Sequence, residues 1–195
     1  MPPKKPDVPP MFVWLDLEMT GLDPAKDVII DVAAIITGDD LVPKERYAAT
    51  VYQPEAALAV MDPFVREMHN KTKLLERVRA SDKGLRDVEK ELLELIYRHA
   101  APFHATLAGN SIHADRNFVR AHMPLVDRYL SYRMLDVTTI KILKRAWYPD
   151  FEQPIKKGTH TAISDIEESL AELAWYRDVL FRKRETAPPE ATKTR

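Results

Sequence analysis

Two carboxylates two residues apart, Asp16 and Glu18, close the run MFVWLDLE (11–18). In a strand this spacing points both acids to one face while Leu15 and Leu17 point to the other. Ionised carboxylates side by side at a strand end repel, and one takes up a proton unless a cation lies between them. Asp-x-Glu also arises by chance, and acids at a strand mouth are ordinarily only solvated. Asp115 follows the short apolar run TLAGN (106–110) and opens a helical stretch, where an acid serves equally well as a cap or dipole partner. The run HTAISD (160–165) starts the last helical stretch, with Thr161 as its N-cap, Asp165 about one turn in, and His160 in the loop before it. Alone, it reads as ordinary helix-start chemistry, with Glu167 and Glu168 adding to the dipole match. Together, three strand-to-helix junctions each offer an acid and one offers a histidine. Asp, Glu and neutral His suit hard divalent cations plus a general base, and a pair of such ions is the usual device for in-line displacement at phosphorus.

The elements that must position these groups read as follows. The run 11–18 and the nearly continuous apolar run VIIDVAAIIT (28–37) predict strands buried on both faces, and 46–53 predicts a third. Helical stretches follow around 63–79 and 84–99, the latter with apolar residues at 3–4 spacing and a charged opposite face. A short strand at 106–110 then leads to a helix at 114–123, a last strand RMLDV (133–137), and helices at about 138–147 and 161–181. Three opening strands, then strands alternating with helices, predict an α/β domain with a mixed sheet covered by helices. In such sheets reactive groups gather at strand ends and the helix starts beside them.

At 195 residues, 45% hydrophobic and 30% charged, one compact domain is expected, needing no disulfide or structural metal to persist. The Pro-rich, charged ends predict disordered tails over 1–10 and 183–195 flanking a domain of 11–182. The absence of Cys excludes thiolate zinc sites, redox pairs and a Cys nucleophile. No run approaches a membrane span, and the first ten residues contain no apolar signal core, so a cytoplasmic protein is expected. Lys4 and Lys5 outweigh Asp7 at the start, and five basic residues outweigh two acidic ones over 182–195. With a formal net charge of −1, the body between is therefore acidic. Proteins that track long nucleic acids normally present a basic face, so a small anionic substrate or a metal-mediated contact is expected instead.

The strings WLDLEMTGLD (14–23), LAGNSIHADRNF (107–118), YRMLDVTTIK (132–141) and HTAISDIEESLAELAWYR (160–177) resemble oligoribonucleases in order and spacing, over about residues 12–181. That family is a branch of the RNase H-like exonucleases with four acids and a His, so the resemblance implies a mixed sheet of about five strands. It implies homodimers that remove 5′-mononucleotides from the 3′ ends of very short RNAs, finishing with dinucleotides, and two divalent ions, Mg²⁺ or Mn²⁺. On this chain the acids fall on Asp16, Glu18, Asp115 and Asp165, and the base on His160. One ion would rest chiefly on Asp16, Glu18 and Asp165, the second on Asp16 and Asp115. The resemblance also implies that Leu22 and Phe64 flank the bases and that Ser111, Arg133 and Thr138 receive the 5′ phosphate. Tyr132 would reach into the neighbouring subunit's site. Aromatic faces stack bases at about 1–3 kcal/mol each, and Arg with hydroxyls makes a charge-assisted phosphate cradle. For Phe64 and Tyr132 the alternative is ordinary core packing. The family often has Trp where this chain has Phe64, and Gly with a polar residue in place of His113-Ala114.

Two other functions fit parts of this pattern. A proofreading-type DNA exonuclease shares the acids and the His but needs a longer strand groove, which the acidic body and the phosphate cradle disfavour. A nucleic-acid or dinucleotide binding module would have lost catalysis, whereas no catalytic position is missing here.

Overall fold

The structure, a computed structural model, describes residues 9–150 and 161–181. Five strands form one sheet: β1 (Met11–Met19), β2 (Ile29–Thr37), β3 (Pro43–Thr50), β4 (Ala105–Gly109) and β5 (Met134–Asp136), in the order β3-β2-β1-β4-β5. β1, β2 and β3 pair antiparallel, whereas β4 lies parallel to β1 and β5 parallel to β4. All nine residues of β2 are buried, as a nearly continuous apolar run requires of a strand covered on both faces. The mixed five-stranded α/β sheet is the one the sequence predicts.

Eight helices cover it among the described residues: α1 (Glu55–Ala59), α2 (Pro63–Lys71), α3 (Leu74–Ala80), α4 (Leu85–His99), α5 (His113–His122), α6 (Pro124–Tyr129), α7 (Val137–Trp147) and α8 (Ala162–Leu180). The alternation along β1 divides the core. Val13, Leu15 and Leu17 pack with Leu92 and Ile96 of α4 and Phe118 of α5, while Trp14 packs on the other face with Ile166 and Leu170 of α8. Asp16 and Glu18 share Trp14's parity and so face the α8 side. A third, smaller cluster joins Ile30 to Leu58, Leu74, Leu75 and Val78, fixing α1 and α3 to the sheet.

Three expectations need correcting. β3 begins and ends three residues before 46–53. It is an edge strand with a single buried residue, so it carries little apolar signal, and Pro43 is tolerated at its start because an edge residue needs no ladder donor. The single helix expected at 63–79 is two, broken at Lys73, whose φ of 56° leaves the helical region. The break lets Leu74, Leu75 and Val78 turn to Ile30 while His69 of α2 stays against β1. Finally, α1 and α6 are helices of five and six residues, too short to show a period. The expected tails lie outside the described residues apart from Pro9 and Pro10. No helix among the described residues is long and apolar enough to cross a membrane.

Candidate active site

β1 runs past the end of β4: its parallel pairing stops at Trp14 opposite Ala108. Gly109 lets the β4 chain pass close by there, since an added Cβ would lie 3.1 Å from the Leu15 carbonyl oxygen. Beyond it, the Leu17 N–H donates to Asp115 Oδ1 at 3.0 Å instead of to a strand. Asp115 is thus neither a helix cap nor a surface dipole partner. It is a buried first-turn residue of α5 that reaches across to β1.

On the other side, Asp165 sits in the first turn of α8. Thr161 is the N-cap, and its N–H donates to Ser164 Oγ at 3.2 Å. Asp16, Glu18 and Asp165 each present a ligand atom, and those atoms lie within 4.8 Å of one another. They line a cavity of about 250 Å³ with Leu17, Met68, His69 and Thr72. Burial pushes Asp16 up to about 9, with repulsion from Asp115, Glu18, Asp165 and Asp31 adding to it. Burial, reinforced by Asp165, raises Glu18 to about 7. Burial also raises Asp115 to about 7, partly offset by the Leu17 N–H. Carboxyls crowded and desolvated in this way gain most from a divalent cation, and the all-oxygen donor set fits Mg²⁺ or Mn²⁺.

Two groups at this site escape sequence reasoning. His69 is buried, and its Nε2–H donates to the Met19 carbonyl at 2.9 Å, which leaves Nδ1 3.9 Å from Glu18 Oε2. No motif marks it. Asp31 lies opposite Glu18 in the β1/β2 register, takes the Thr50 hydroxyl at 2.6 Å, and has Arg77 at 3.7 Å. A lone acid inside VIIDVAAIIT was the available signal for it.

The expected substrate residues divide into two groups. Leu22, Phe64 and Tyr132 are 83%, 77% and 78% exposed, which removes core packing as their role. Arg133 lies over the Tyr132 ring, 4.5 Å from its centroid. Ser111 and Thr138 meet at the neighbouring ends of β4 and β5, with the Ser111 N–H donating to Thr138 Oγ1 at 2.8 Å and the two hydroxyls 3.2 Å apart. Asp136 caps α7 there, its Oδ1 accepting from both Ser111 N–H and Thr138 N–H. His160 lies outside the described residues.

An exonuclease family model matches residues 13–173 of the chain. The oligoribonuclease of Corynebacterium diphtheriae is 48% identical over 170 residues, spanning 85% of this chain and 81% of that protein. The chain belongs to the oligoribonuclease family. A probable oligoribonuclease of Caenorhabditis elegans is 39% identical over 88% of this chain and 90% of its own length. Among solved structures, exonuclease I of E. coli with zinc and single-stranded DNA aligns with a TM-score of 0.70 at 16% identity. That alignment covers 88% of this chain and 41% of the exonuclease I chain, and it shows a common fold. As an oligoribonuclease family member of the DEDDh exonuclease superfamily, the chain is a nuclease, a hydrolase with 3′→5′ exoribonuclease activity. Family and acidic cluster together point to divalent metal use.

Proposed function

We propose that this enzyme finishes RNA breakdown by hydrolysing very short oligoribonucleotides, above all dinucleotides, to 5′-mononucleotides. The observation that carries this reading is the convergence of Asp16, Glu18 and Asp165 on one small cavity, with Asp115 behind them. Asp16, Glu18 and Asp165 would hold one divalent ion, and Asp16 with Asp115 a second. The chemistry such a pair supplies is Lewis-acid activation of the attacking water and neutralisation of charge on the leaving 3′ oxygen. His160, beside Asp165 in sequence, is the general base that takes the water's proton, and it does so as neutral imidazole.

The remaining residues bind. Leu22 and Phe64, both exposed, flank the bases. Ser111, Thr138 and Arg133 receive the 5′ phosphate, supported by the hydroxyl pair at the β4/β5 ends. Tyr132 enters the neighbouring subunit's site in a homodimer, a role consistent with its exposure. One domain spanning 11–182, working in the cytoplasm, carries all of this. The crystallised exonuclease I that shares the fold holds single-stranded DNA, which supports a single strand as ligand here. A long nucleic acid is not expected as ligand of a chain whose body is acidic.

Incubation of the protein with labelled RNA and DNA dinucleotides, with Mn²⁺ and with EDTA, tests the proposal. Mn²⁺-dependent release of 5′-mononucleotides from RNA supports it. Equal cleavage of DNA would indicate a proofreading-type exonuclease, and binding without cleavage a binding module.

A further inference from the structure

Asn110 is the residue between β4 and Ser111, and its carboxamide touches two elements at once. Its Nδ2 donates to Ser169 Oγ at 2.8 Å and to Glu172 Oε2 at 3.2 Å, both on α8. Its Oδ1 accepts from the Thr138 hydroxyl at 3.3 Å on α7. The orientation of the amide follows from its partners. Ser169 Oγ–H donates to the Asp165 carbonyl at 2.8 Å, so towards Asn110 the serine accepts, and an ionised Glu172 only accepts. Nδ2 therefore faces α8 and Oδ1 faces Thr138.

Glu172 is itself firmly held. It is buried, its Oε1 takes the hydroxyl of the fully buried Tyr176 at 2.9 Å, and Lys141 lies 3.0 Å from the same oxygen. An amide anchored by three hydrogen bonds is a rigid support. The direction of hydrogen bonding then propagates. Thr138 commits its single hydroxyl hydrogen to Asn110, so its oxygen accepts from Ser111 N–H. Between the two hydroxyls, Ser111 is left as the donor, with a hydrogen that can turn to an incoming anion.

We propose that Asn110 is a positioning residue for the 5′-phosphate subsite: tied to Ser169 and Glu172 of α8, it fixes Thr138 and leaves the Ser111 hydroxyl as donor to the phosphate. This rests on the reading of Ser111, Thr138 and Arg133 as that subsite, with Thr138 acting through the Ser111 hydroxyl because its own hydrogen goes to Asn110. It also joins the subsite to the helix that carries Asp165, since Ser169 bonds Asp165's own carbonyl.

The test is kcat/KM for an RNA dinucleotide bearing a 5′ phosphate, divided by that for its 5′-hydroxyl twin, at saturating Mn²⁺. For Asn110→Ala this ratio should fall about fivefold, the effect of about one neutral hydrogen bond, while the 5′-hydroxyl substrate loses much less. Parallel losses on both substrates would mean a merely structural role and overturn the proposal. A wild-type ratio of one would remove the subsite reading, and the proposal with it. If Asn110→Ala does not fold by circular dichroism, Ser169→Ala carries the test, with about a twofold loss of the ratio expected and a wild-type ratio overturning the idea.

Discussion

At the end of β1 the polar groups are carboxylates: Asp16, Glu18 and Asp165 share one cavity, burial and mutual repulsion lift Asp16 and Glu18 well above the ordinary range, and Asp115 stands behind. At the ends of β4 and β5 they are an amide, two hydroxyls and one carboxylate that accepts backbone N–H groups, and Asn110, Ser111, Thr138 and Asp136 pair with one another in a determined direction. The first region is electrostatically strained until a cation enters it. The second is already satisfied and offers a preformed surface. One fold therefore places an acidic cluster suited to a cation beside a group of side chains already hydrogen-bonded to one another, and the two should respond differently to perturbation.

The largest expected difference comes from removing the acids. Asp16→Ala, Glu18→Ala, Asp115→Ala and Asp165→Ala should each lower turnover by at least about a hundredfold at saturating Mn²⁺ with the circular dichroism spectrum intact. More than about a tenth of wild-type activity in one of them would remove that acid from the ion site and blur the contrast. His160→Ala should lose most activity at about pH 8, where an unperturbed imidazole is neutral. An unchanged rate there would take His160 out of the mechanism.

A smaller effect is expected from the preformed region. If the subsite closes behind a dinucleotide, a third nucleotide must displace a charge-assisted contact, and kcat/KM should drop about tenfold from dimer to trimer. Single-turnover decay of labelled RNAs two to seven residues long measures this, and a flat series would indicate an open groove. Arg133→Ala should erase most of the advantage of a 5′ phosphate without weakening Mn²⁺ binding measured by calorimetry. Tyr132, if it serves the partner's site, makes activity fall together with dimer fraction on dilution, which light scattering run beside an assay follows.

The smallest effect is on stability and sharpens the contrast most directly. Asp16, Glu18 and Asp115 have higher pKa values folded than their unfolded values near 4, so between about pH 4 and 9 these carboxyls hold more protons folded than unfolded. His69, lowered by burial, offsets that excess only in part. Stability must then fall as pH rises through that window in EDTA. Calorimetry should show Tm decreasing from about pH 5 to 8, Mn²⁺ raising it more at the higher pH, and Asp16→Asn flattening the EDTA curve. A Tm in EDTA that rises with pH would mean that burial and mutual repulsion do not hold these carboxyls protonated.

The sequence by itself determined the parts with a local period or spacing. Alternation along 11–18 put Asp16 and Glu18 on one face, the nearly continuous apolar run at 28–37 made β2 a strand buried on both faces, and Thr161 marked the start of the helix that carries Asp165. The motif strings were legible because the chemistry is concentrated at strand ends and helix starts. What only the tertiary structure decided are relations between residues far apart in the chain. Asp115 reaches the Leu17 N–H 98 residues away, His69 backs Met19 and Glu18, Asp31 faces Glu18 across the β1/β2 ladder, and Asn110 spans α7 and α8. None of these has a sequence period, because each arises where one strand outlasts its neighbour or a helix ends against the sheet. There the backbone and buried side chains must find hydrogen-bond partners from whatever the fold brings near.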